Sequence, residues 1–172
     1  LAEQLHPEVR LKWPNDLWLQ QRKLGGILVE TATHTSTSPD ESGRRMVVVG
    51  VGINIARPDA SALPLPQEGT GATAAPVLPA GLAEVWMGVT PGEALERVAM
   101  PLANELLRFE ATGFAAFQPR FARLDALAGQ HVRLSDGTEG QARGVDAEGA
   151  LLLQTGDGVR RVTSSEVSVR PC

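Results

Sequence analysis

A short polar turn early in the chain holds the residue types best suited to chemistry. Asn15 and Asp16 occupy this turn, with Lys12 just before it and Lys23 a few residues after it. A carboxylate can hold a metal ion, and a lysine ammonium binds a carboxylate or phosphate as a point charge. The segment Arg10–Glu30 therefore predicts a site for an anion and a metal. The alternative interpretation is a buried β-meander whose turn happens to be polar.

The distribution of lysine favours the first interpretation. Lys12 and Lys23 are the two lysines of a chain that also has 14 arginines. Both ammonium groups thus fall within one short segment, although two residues can cluster by chance. A compact ammonium differs from a guanidinium in the ligands it suits, so this segment is a candidate binding site for a carboxylate or a phosphate.

The residues around the turn predict short β-strands. Leu17–Leu19 is an apolar strand, and Gln20–Lys23 is a polar connection to the next one. The pair Gly25 and Gly26 lets the backbone approach a partner closely before the apolar run Ile27–Val29 begins. We therefore expect strand, turn, strand, hairpin and strand in that order.

A second apolar run, Met46–Ile55, contains Gly50 and Gly52. A nearly continuous apolar run predicts a strand buried on both faces. The two glycines share one face of that strand and leave it bare, either for a flat ligand or for tight packing of a neighbouring element. Asn54 follows at the strand's end, where a polar side chain must find a partner.

The middle of the chain predicts loops and helices. Thr31–Arg45 is polar and reads as a loop, and Arg57–Val89 is irregular apart from a short helix near Trp86. Thr90 is a predicted helix N-cap, and Gly113 ends that helix. Residues with helical spacing that we expect in the core are Leu95, Val98, Ala99, Leu102, Leu106 and Phe109 in this helix and Phe114, Phe117, Phe121 and Leu124 in the next.

The last third changes to short β-type runs between Gly129 and Arg170, separated by Asp-Gly and similar turns. Five short strands in about forty residues predict a small barrel like the SH3 architecture. His131 in its first strand is expected to be a half-buried structural residue, and His34 a solvated loop residue.

Composition narrows the function classes. The net charge of −4 gives no global basic field for nucleic acid, so we expect no nucleic-acid binding through this segment. No apolar run is long enough to span a membrane, and a single cysteine, Cys172, weakly favours a reducing cytoplasm. Leu1–Leu5 reads like the end of an amphipathic helix, from which we expect a fragment or an N-terminally truncated form.

Three blocks in the same order and spacing, Lys12–Asp16, Lys23–Glu30 and Gly50–Asn54, resemble the central catalytic segment of biotin–protein ligases. The C-terminal third resembles that family's small terminal domain. The resemblance implies an α+β fold, with a mixed β-sheet and packed helices of the class II synthetase and biotin ligase type (in part), followed by an SH3-like β-barrel. It also implies a partial catalytic domain over residues 1–127 and an SH3-like domain over 128–172.

The activity implied by the resemblance is ATP-dependent attachment of biotin to a specific lysine of a biotin carboxyl carrier protein, through a biotinyl-adenylate and with Mg²⁺. It implies that Lys23 and Asp16 are catalytic and that Asp16 holds the metal. The biotin contacts implied are Lys23, Gly25, Gly26 and Leu28. The nucleotide contacts implied are Lys12, Asn15, Asn54, Glu166 and Arg170.

The sequence also departs from the family pattern. The glycine- and arginine-rich loop that covers the adenylate in biotin–protein ligases does not occur in these 172 residues. We therefore expect the chain alone to bind biotin and ATP weakly or not at all, to expose an apolar sheet face, and to aggregate or dimerise.

Two rival functions stay open. A lipoate-type ligase would share the fold and the lysine, although the motif blocks suit biotin ligases better. The other rival is a non-catalytic binding or dimerisation module, in which a sheet edge near Val29–Thr35 pairs with a second copy to give a homodimer.

Overall fold

A computed structural model describes residues 1–33, 45–59, 78–163 and 169–171 of the chain. Two β-sheets of four and five strands are accompanied by three α-helices in these residues, so the predicted α+β class is confirmed. The paired strands are antiparallel, and an isolated parallel bridge joins Leu11 to Asp125. Among the helices described, none is long and apolar enough to cross a membrane.

The first sheet is built from the segment that carries the polar turn. A short helix α1 (Ala2–Leu5) precedes β1 (Val9–Lys12), β2 (Asp16–Leu19), β3 (Arg22–Thr33) and β4 (Arg45–Ile53), and the strands lie in that spatial order. The expected succession of strand, turn, strand, hairpin and strand is therefore confirmed.

Two predicted boundaries were wrong in this sheet. Gln20 and Gln21 have φ values of 49° and 60°, so the β2–β3 connection is a two-residue turn and Lys23 already lies in β3. The predicted loop Thr31–Arg45 is shorter at both ends, because β3 and β4 pair residue by residue out to Thr33 and Arg45. Residues 34–44, including His34, lie outside the described residues.

The apolar core forms against one face of β1 and β2. Its buried members are Ala2, Leu5, Val9, Leu17, Leu19, Leu24, Ala80, Leu82, Val89, Ala94 and Val98. A short 3₁₀ helix, Leu82–Glu84, contributes Leu82 near the position where we predicted a short helix. This core supports one face of β1 and β2. The opposite face, called the polar face below, carries Lys12, Asp16 and Trp18.

The long helix α2 (Pro91–Thr112) begins as predicted, because Thr90 and Glu93 form a capping box. Its predicted core stripe is wrong at most positions. Ala94 and Val98 are buried, whereas Leu95, at 64% exposure, and other stripe members are exposed. The helix packs on the core only through its N-terminal half, so helical spacing alone overestimated the buried stripe.

The second predicted helix is divided into a 3₁₀ turn, Phe114–Ala116, and α3 (Gln118–Leu124). Phe114 and Phe121 stack edge to face at 6.1 Å and are partly buried against the second sheet. The aromatic stripe therefore lies between the two sheets, half-buried, where we had expected a fully buried face.

The strand β4 is also more exposed than predicted. Met46, Val47 and Val48 are 51–59% exposed, because nothing among the described residues packs on that end of the β3–β4 hairpin. Leu28 and Val29 of β3 are exposed beside them. The strand is thus not buried on both faces, and the separately expected exposed apolar face is present.

The predicted sheet edge near Val29–Thr35 is only partly an edge. β3 is an inner strand that pairs with β4 as far as Thr33. On its other side, β2 pairs with β3 only as far as Gly26. An edge is therefore open on the β2 side alone, within the part of the chain that the structure describes.

The five predicted C-terminal strands are present and form the terminal barrel. They are β5 (His131–Leu134), β6 (Glu139–Val145), β7 (Leu151–Thr155), β8 (Gly158–Val162) and β9 (Val169–Pro171). Their spatial order is β8-β7-β6-β5-β9. His131 is exposed, contrary to our expectation, because the inward positions of β5 are Val132 and Leu134.

The barrel has its own buried cluster, to which Trp13 and Leu127 belong together with Val132, Leu151 and Leu153. Two buried residues from the first 127 positions therefore belong to the core of the second sheet, in addition to the partly buried Phe114 and Phe121. The division of the chain at residues 127 and 128 stays a prediction.

Candidate active site

The centre of the polar face is a carboxylate held between two ammonium groups. Lys23 Nζ lies 2.6 Å from Asp16 Oδ1, and Lys12 Nζ lies 3.6 Å from Asp16 Oδ2. The Asp16 and Lys12 side chains are 16% and 11% exposed, whereas Lys23 is 55% exposed. Lys23 is therefore the cation that a ligand from solvent can reach, and Asp16 orients it.

A β-bulge places Lys23 on this face. Leu17 pairs with Gly25 and Trp18 pairs with Lys23, so Leu24 is an extra residue in β3. Leu24 is fully buried in the core, while Lys23 lies on the same face as Trp18 and Asp16. With regular alternation Lys23 and Gly26 would lie on opposite faces, so the bulge is what joins them.

Lys12 is the less accessible cation of the pair. Its Nζ lies 5.5 Å from the centroid of the Trp18 ring, a cation–π contact. Burial lowers the pKa of Lys12, and the positive charges of Lys23 and Arg170 lower it further, while Asp16 opposes the change. Arg170 of β9 is the residue of the terminal barrel whose charge contributes to this lowering of the Lys12 pKa.

The glycines differ in what they do. A Cβ on Gly26 would lie 3.5 Å from Lys23 Nζ and 3.6 Å from Asp16 Oδ1, so the absence of a side chain leaves space beside the ion pair. A Cβ on Gly50 or Gly52 would meet no atom closer than 3.7 Å, so packing does not require glycine there. The three glycines leave a bare strip of backbone next to the two lysines.

Gly25 has a different reason to be glycine. A Cβ there would lie 2.2 Å from the carbonyl oxygen of Gly52, which the backbone could not accommodate. Gly25 pairs with Leu17 and Ile53 on the opposite face from Lys23. The structure thus brings Gly26 to the polar face and Leu28 along with it, but directs Gly25 toward the core.

Both asparagines bind backbone. The side-chain Nδ2–H of Asn15 donates to the Ile27 carbonyl at 2.7 Å, and the backbone carbonyl of Asn15 accepts from Ile27 N at 2.8 Å. Asn54 Nδ2 donates to the Ala80 carbonyl at 3.1 Å. Each side-chain amide therefore holds a backbone segment beside the polar face, and in this way it helps to position the site.

Of the two predicted C-terminal residues, Arg170 is described and exposed on β9, where it pairs with Arg133. Glu166 lies outside the described residues. Sequence reasoning missed Trp18, which shares the face of Lys12 and Asp16. The spacing of two between Asp16 and Trp18 in a strand was the signal that could have found it.

The donor groups of the polar face limit the kind of metal ion that it could hold. Asp16 is the carboxylate that contacts Lys12 and Lys23, and the described residues contain no group of three or more His, Cys, Asp or Glu that could form a cage. Mg²⁺ commonly uses one or two carboxylates together with substrate phosphates and water. The donor set therefore fits a magnesium ion that arrives with a nucleotide, with Asp16 as its protein ligand.

Comparisons with known proteins identify what the chain is similar to. Residues 2–54 match the model of the biotin/lipoate A/B protein ligase family, and residues 128–170 match the biotin protein ligase C-terminal domain. The bifunctional ligase/repressor BirA of Escherichia coli K12 is 31% identical over 166 residues, which are 95% of this chain and 47% of the relative. The biotin–[acetyl-CoA-carboxylase] ligase of Paracoccus denitrificans is 34% identical over 94% of this chain and 64% of its own length.

The fold agrees as well. The biotin protein ligase of Aquifex aeolicus in complex with biotin and ATP superposes with a TM-score of 0.72 at 25% identity, covering 99% of this chain and 67% of that one. The chain spans about half the length of the E. coli relative and about two thirds of the Paracoccus one. By its two family matches, its relatives and its fold, the chain belongs to the biotin protein ligase family.

Proposed function

We propose that the chain carries the catalytic face and terminal barrel of an ATP-dependent enzyme that attaches biotin to a lysine of a biotin carboxyl carrier domain. The observation that supports this most is the Asp16 carboxylate between Lys12 and Lys23, bordered by a strip of glycine backbone. This combination suits a ligand with an anionic end and a flat apolar body, and the neighbouring phosphates of a nucleotide.

In the first step a biotin carboxylate oxygen attacks the α-phosphorus of ATP. A new phosphorus–oxygen bond forms, the bond to the β-phosphate bridging oxygen breaks, and pyrophosphate leaves with that electron pair. Lys23, as the exposed cation, holds the carboxylate and stabilises the negative charge on the α-phosphate in the transition state. Asp16 holds the Lys23 ammonium in place at 2.6 Å.

In the second step the amine of an acceptor lysine attacks the acyl carbon of biotinyl-adenylate. A carbon–nitrogen bond forms, AMP leaves with the electron pair of the acyl–oxygen bond, and the amine loses a proton. This step requires that the acyl group face solvent, which fits the exposure of Lys23 and Leu28.

Bound Mg²⁺ would neutralise phosphate charge, and Asp16 is the residue that would hold it. Its oxygens already contact two ammonium groups, so Lys12 and Lys23 compensate the carboxylate until the magnesium nucleotide arrives. The net positive charge of the three residues favours an approaching anion.

The remaining predicted contacts divide into two groups. Gly26 and Leu28 border the biotin side, where the bare backbone suits a flat ring system. Lys12 and Arg170 border the nucleotide side, because the charge of Arg170 reaches Lys12.

Three proposed contacts act indirectly. Gly25 supports the biotin side through its close approach to β4, and Asn15 and Asn54 support the site through the backbone they bind. Glu166 stays a proposed nucleotide contact from the family resemblance.

The direct test uses this chain fused to the part of the P. denitrificans ligase outside its match, hereafter the complemented protein. We expect biotin-dependent pyrophosphate release from ATP and transfer of biotin to a carrier domain. Absence of both, with the fusion folded by circular dichroism, would contradict the proposal. Isothermal titration with biotin and lipoate separates the lipoate-type rival, for which only lipoate would bind.

One observation favours the second rival, a dimerisation module without catalysis. The β3–β4 hairpin exposes Leu28, Val29 and Met46–Val48 together, and such apolar surfaces commonly contact a partner. Light scattering that shows a dimer, combined with no response to nucleotide, would favour it. Absence of nucleic-acid binding and a cytoplasmic location stay predictions.

A further inference from the structure

Trp13 connects the two sheets. Its backbone lies in the β1–β2 turn between Lys12 and Asp16, but its side chain is 3% exposed and packs in the buried cluster of the terminal barrel. The indole Nε1–H donates to the Gly149 carbonyl at 2.9 Å, a bond between residues 136 positions apart. The turn that joins Lys12 to Asp16 is therefore attached to the barrel through Trp13.

The turn that receives the indole is itself well fastened. Asp146 Oδ1 accepts from the backbone N–H groups of Glu148 and Ala150, each at 2.9 Å. Arg161 Nε donates to the other oxygen of Asp146 at 2.5 Å. Gln118 of α3 donates to the Val145 carbonyl at 2.7 Å. The Gly149 carbonyl is thus held at a defined position by the barrel.

The turn on the site side is held by the pairing of Lys12 with Asp16 at the adjoining ends of β1 and β2. Asn15 exchanges two hydrogen bonds with Ile27, and the Leu11 carbonyl accepts from Ala126 N at 2.8 Å. Asp16, which follows Trp13, contacts both Lys12, which precedes it, and Lys23. A shift of the Trp13 indole would therefore move both ends of the ion-pair cluster.

We infer that Trp13 is a positioning residue, through which the Asp146–Gly149 turn of the barrel fixes Lys12 and Asp16 in the geometry that receives the nucleotide. The inference rests on the proposed function for the identity of the ligand. Lys23 lies on β3, outside this turn, so the biotin side depends on Trp13 less than the nucleotide side does.

A purely structural role for Trp13 would give a different pattern. A core tryptophan that only stabilises the barrel would, when changed, lower stability and weaken both ligands to the same degree. A positioning residue would weaken the nucleotide selectively. It would also make the site respond to changes in the barrel turn, and that response would disappear when Trp13 is changed.

The test uses the full 172-residue chain labelled with ¹⁵N, followed by NMR, which also measures weak binding. The variants are Trp13→Phe, which keeps an aromatic ring and removes the indole N–H, and Asp146→Ala, which loosens the barrel turn. Trp86→Phe is the matched control, because Trp86 is half-buried against Arg97 away from the barrel. Arg161→Gln replaces Asp146→Ala if the latter unfolds.

Two readouts are followed. The first is hydrogen exchange at the Ile27 amide, which binds the Asn15 carbonyl at 2.8 Å and so reports the order of the β1–β2 turn. We expect exchange to accelerate about tenfold in Trp13→Phe and in Asp146→Ala, as for loss of one hydrogen bond, and to stay unchanged in Trp86→Phe. In the double variant, Trp13→Phe with Asp146→Ala, the Ile27 amide should exchange no faster than in Trp13→Phe alone.

The second readout is titration with magnesium ATP and, separately, with biotin. We expect the ATP dissociation constant to rise about five- to tenfold in Trp13→Phe, with that for biotin unchanged. Unaltered Ile27 exchange, additive effects in the double variant, or equal weakening of both ligands would overturn the inference. If the unmodified chain does not respond to ATP while Ile27 exchange changes as expected, the positioning role stands, and pyrophosphate release by the complemented protein decides the proposed function separately.

Discussion

Replacing Lys23 by arginine tests the chemistry of the polar face most sharply. Lys23 Nζ lies 2.6 Å from Asp16 Oδ1. A planar guanidinium keeps the charge but cannot occupy this point-charge site without displacing its neighbours. We expect adenylation to slow by about 10²–10³-fold, roughly 2.7–4 kcal/mol, as for removal of one preorganised donor.

The same substitution should leave the fold almost unchanged. The Lys23 side chain is 55% exposed, and exposed ion pairs contribute up to about 1 kcal/mol to stability. The large loss of rate should therefore occur with a melting temperature close to that of the unmodified protein. This difference separates a role in the transition state from a role in folding.

The assay is biotin-dependent pyrophosphate release by the complemented protein, with thermal unfolding measured in parallel. Lys23→Met, which keeps the chain length and removes the charge, should lose at least as much activity as Lys23→Arg. Arg143→Lys on the exposed face of the barrel is the control and should be unaffected. Release at a near-normal rate in Lys23→Arg would refute the assignment of Lys23.

Three further predictions follow from the described contacts. Asp16→Asn should bind magnesium ATP at least tenfold more weakly in calorimetry, because its charge is lost while its turn chemistry is kept; unchanged affinity would exclude the metal role. Arg170→Glu should raise the Michaelis constant for ATP and not that for biotin, because it reverses a charge that acts on Lys12; equal changes in both would contradict the assignment. Burial raises the pKa of Asp125, although the N–H of Leu127 opposes this, so the folded state binds that proton more tightly than the unfolded state. The unfolding free energy of the unmodified protein, relative to Asp125→Asn, should then be highest below pH about 3.8 and fall as the pH rises through the folded-state pKa; an opposite slope in urea titrations would contradict the burial argument.

Much of the site could be predicted from residue types and spacing. The strand–turn–strand order, the role of Thr90 as a helix cap and the five terminal strands follow from local rules that operate over a few residues. The grouping of Lys12, Asp16 and Lys23 followed from their sequence proximity. These features are local, so tertiary packing did not override them.

What could not be predicted depends on contacts between distant segments. The bulge at Leu24 depends on how β3 pairs with β2. The alternation of apolar and polar residues within one strand does not reveal it. The indole of Trp13 was assigned no role, because its partner Gly149 is 136 residues away. The exposure of Leu95 and Met46 depends on which elements cover them, and periodicity says only which side chains share a face.

We expect the chain alone to bind its ligands weakly, because the polar face is open to solvent. The polar face is an open surface: Lys23, Leu28, Gly50 and Gly52 are all accessible in the described residues. A closed site excludes water and protects a reactive adenylate, whereas an open one does not. We expect the complemented protein to bind biotin more tightly than the 172-residue chain, and equal affinities in calorimetry would show the expectation to be mistaken.

We propose that biotin and nucleotide meet on the face formed by Lys12, Asp16, Lys23 and the glycine strip. The most direct measurement is ¹⁵N NMR of the chain during titration with a non-hydrolysable biotinyl-adenylate analogue. We expect saturable shifts of the Gly26, Gly50 and Gly52 amides, which lie on this face. Saturable binding that moves resonances elsewhere and leaves these three amides unchanged would contradict it.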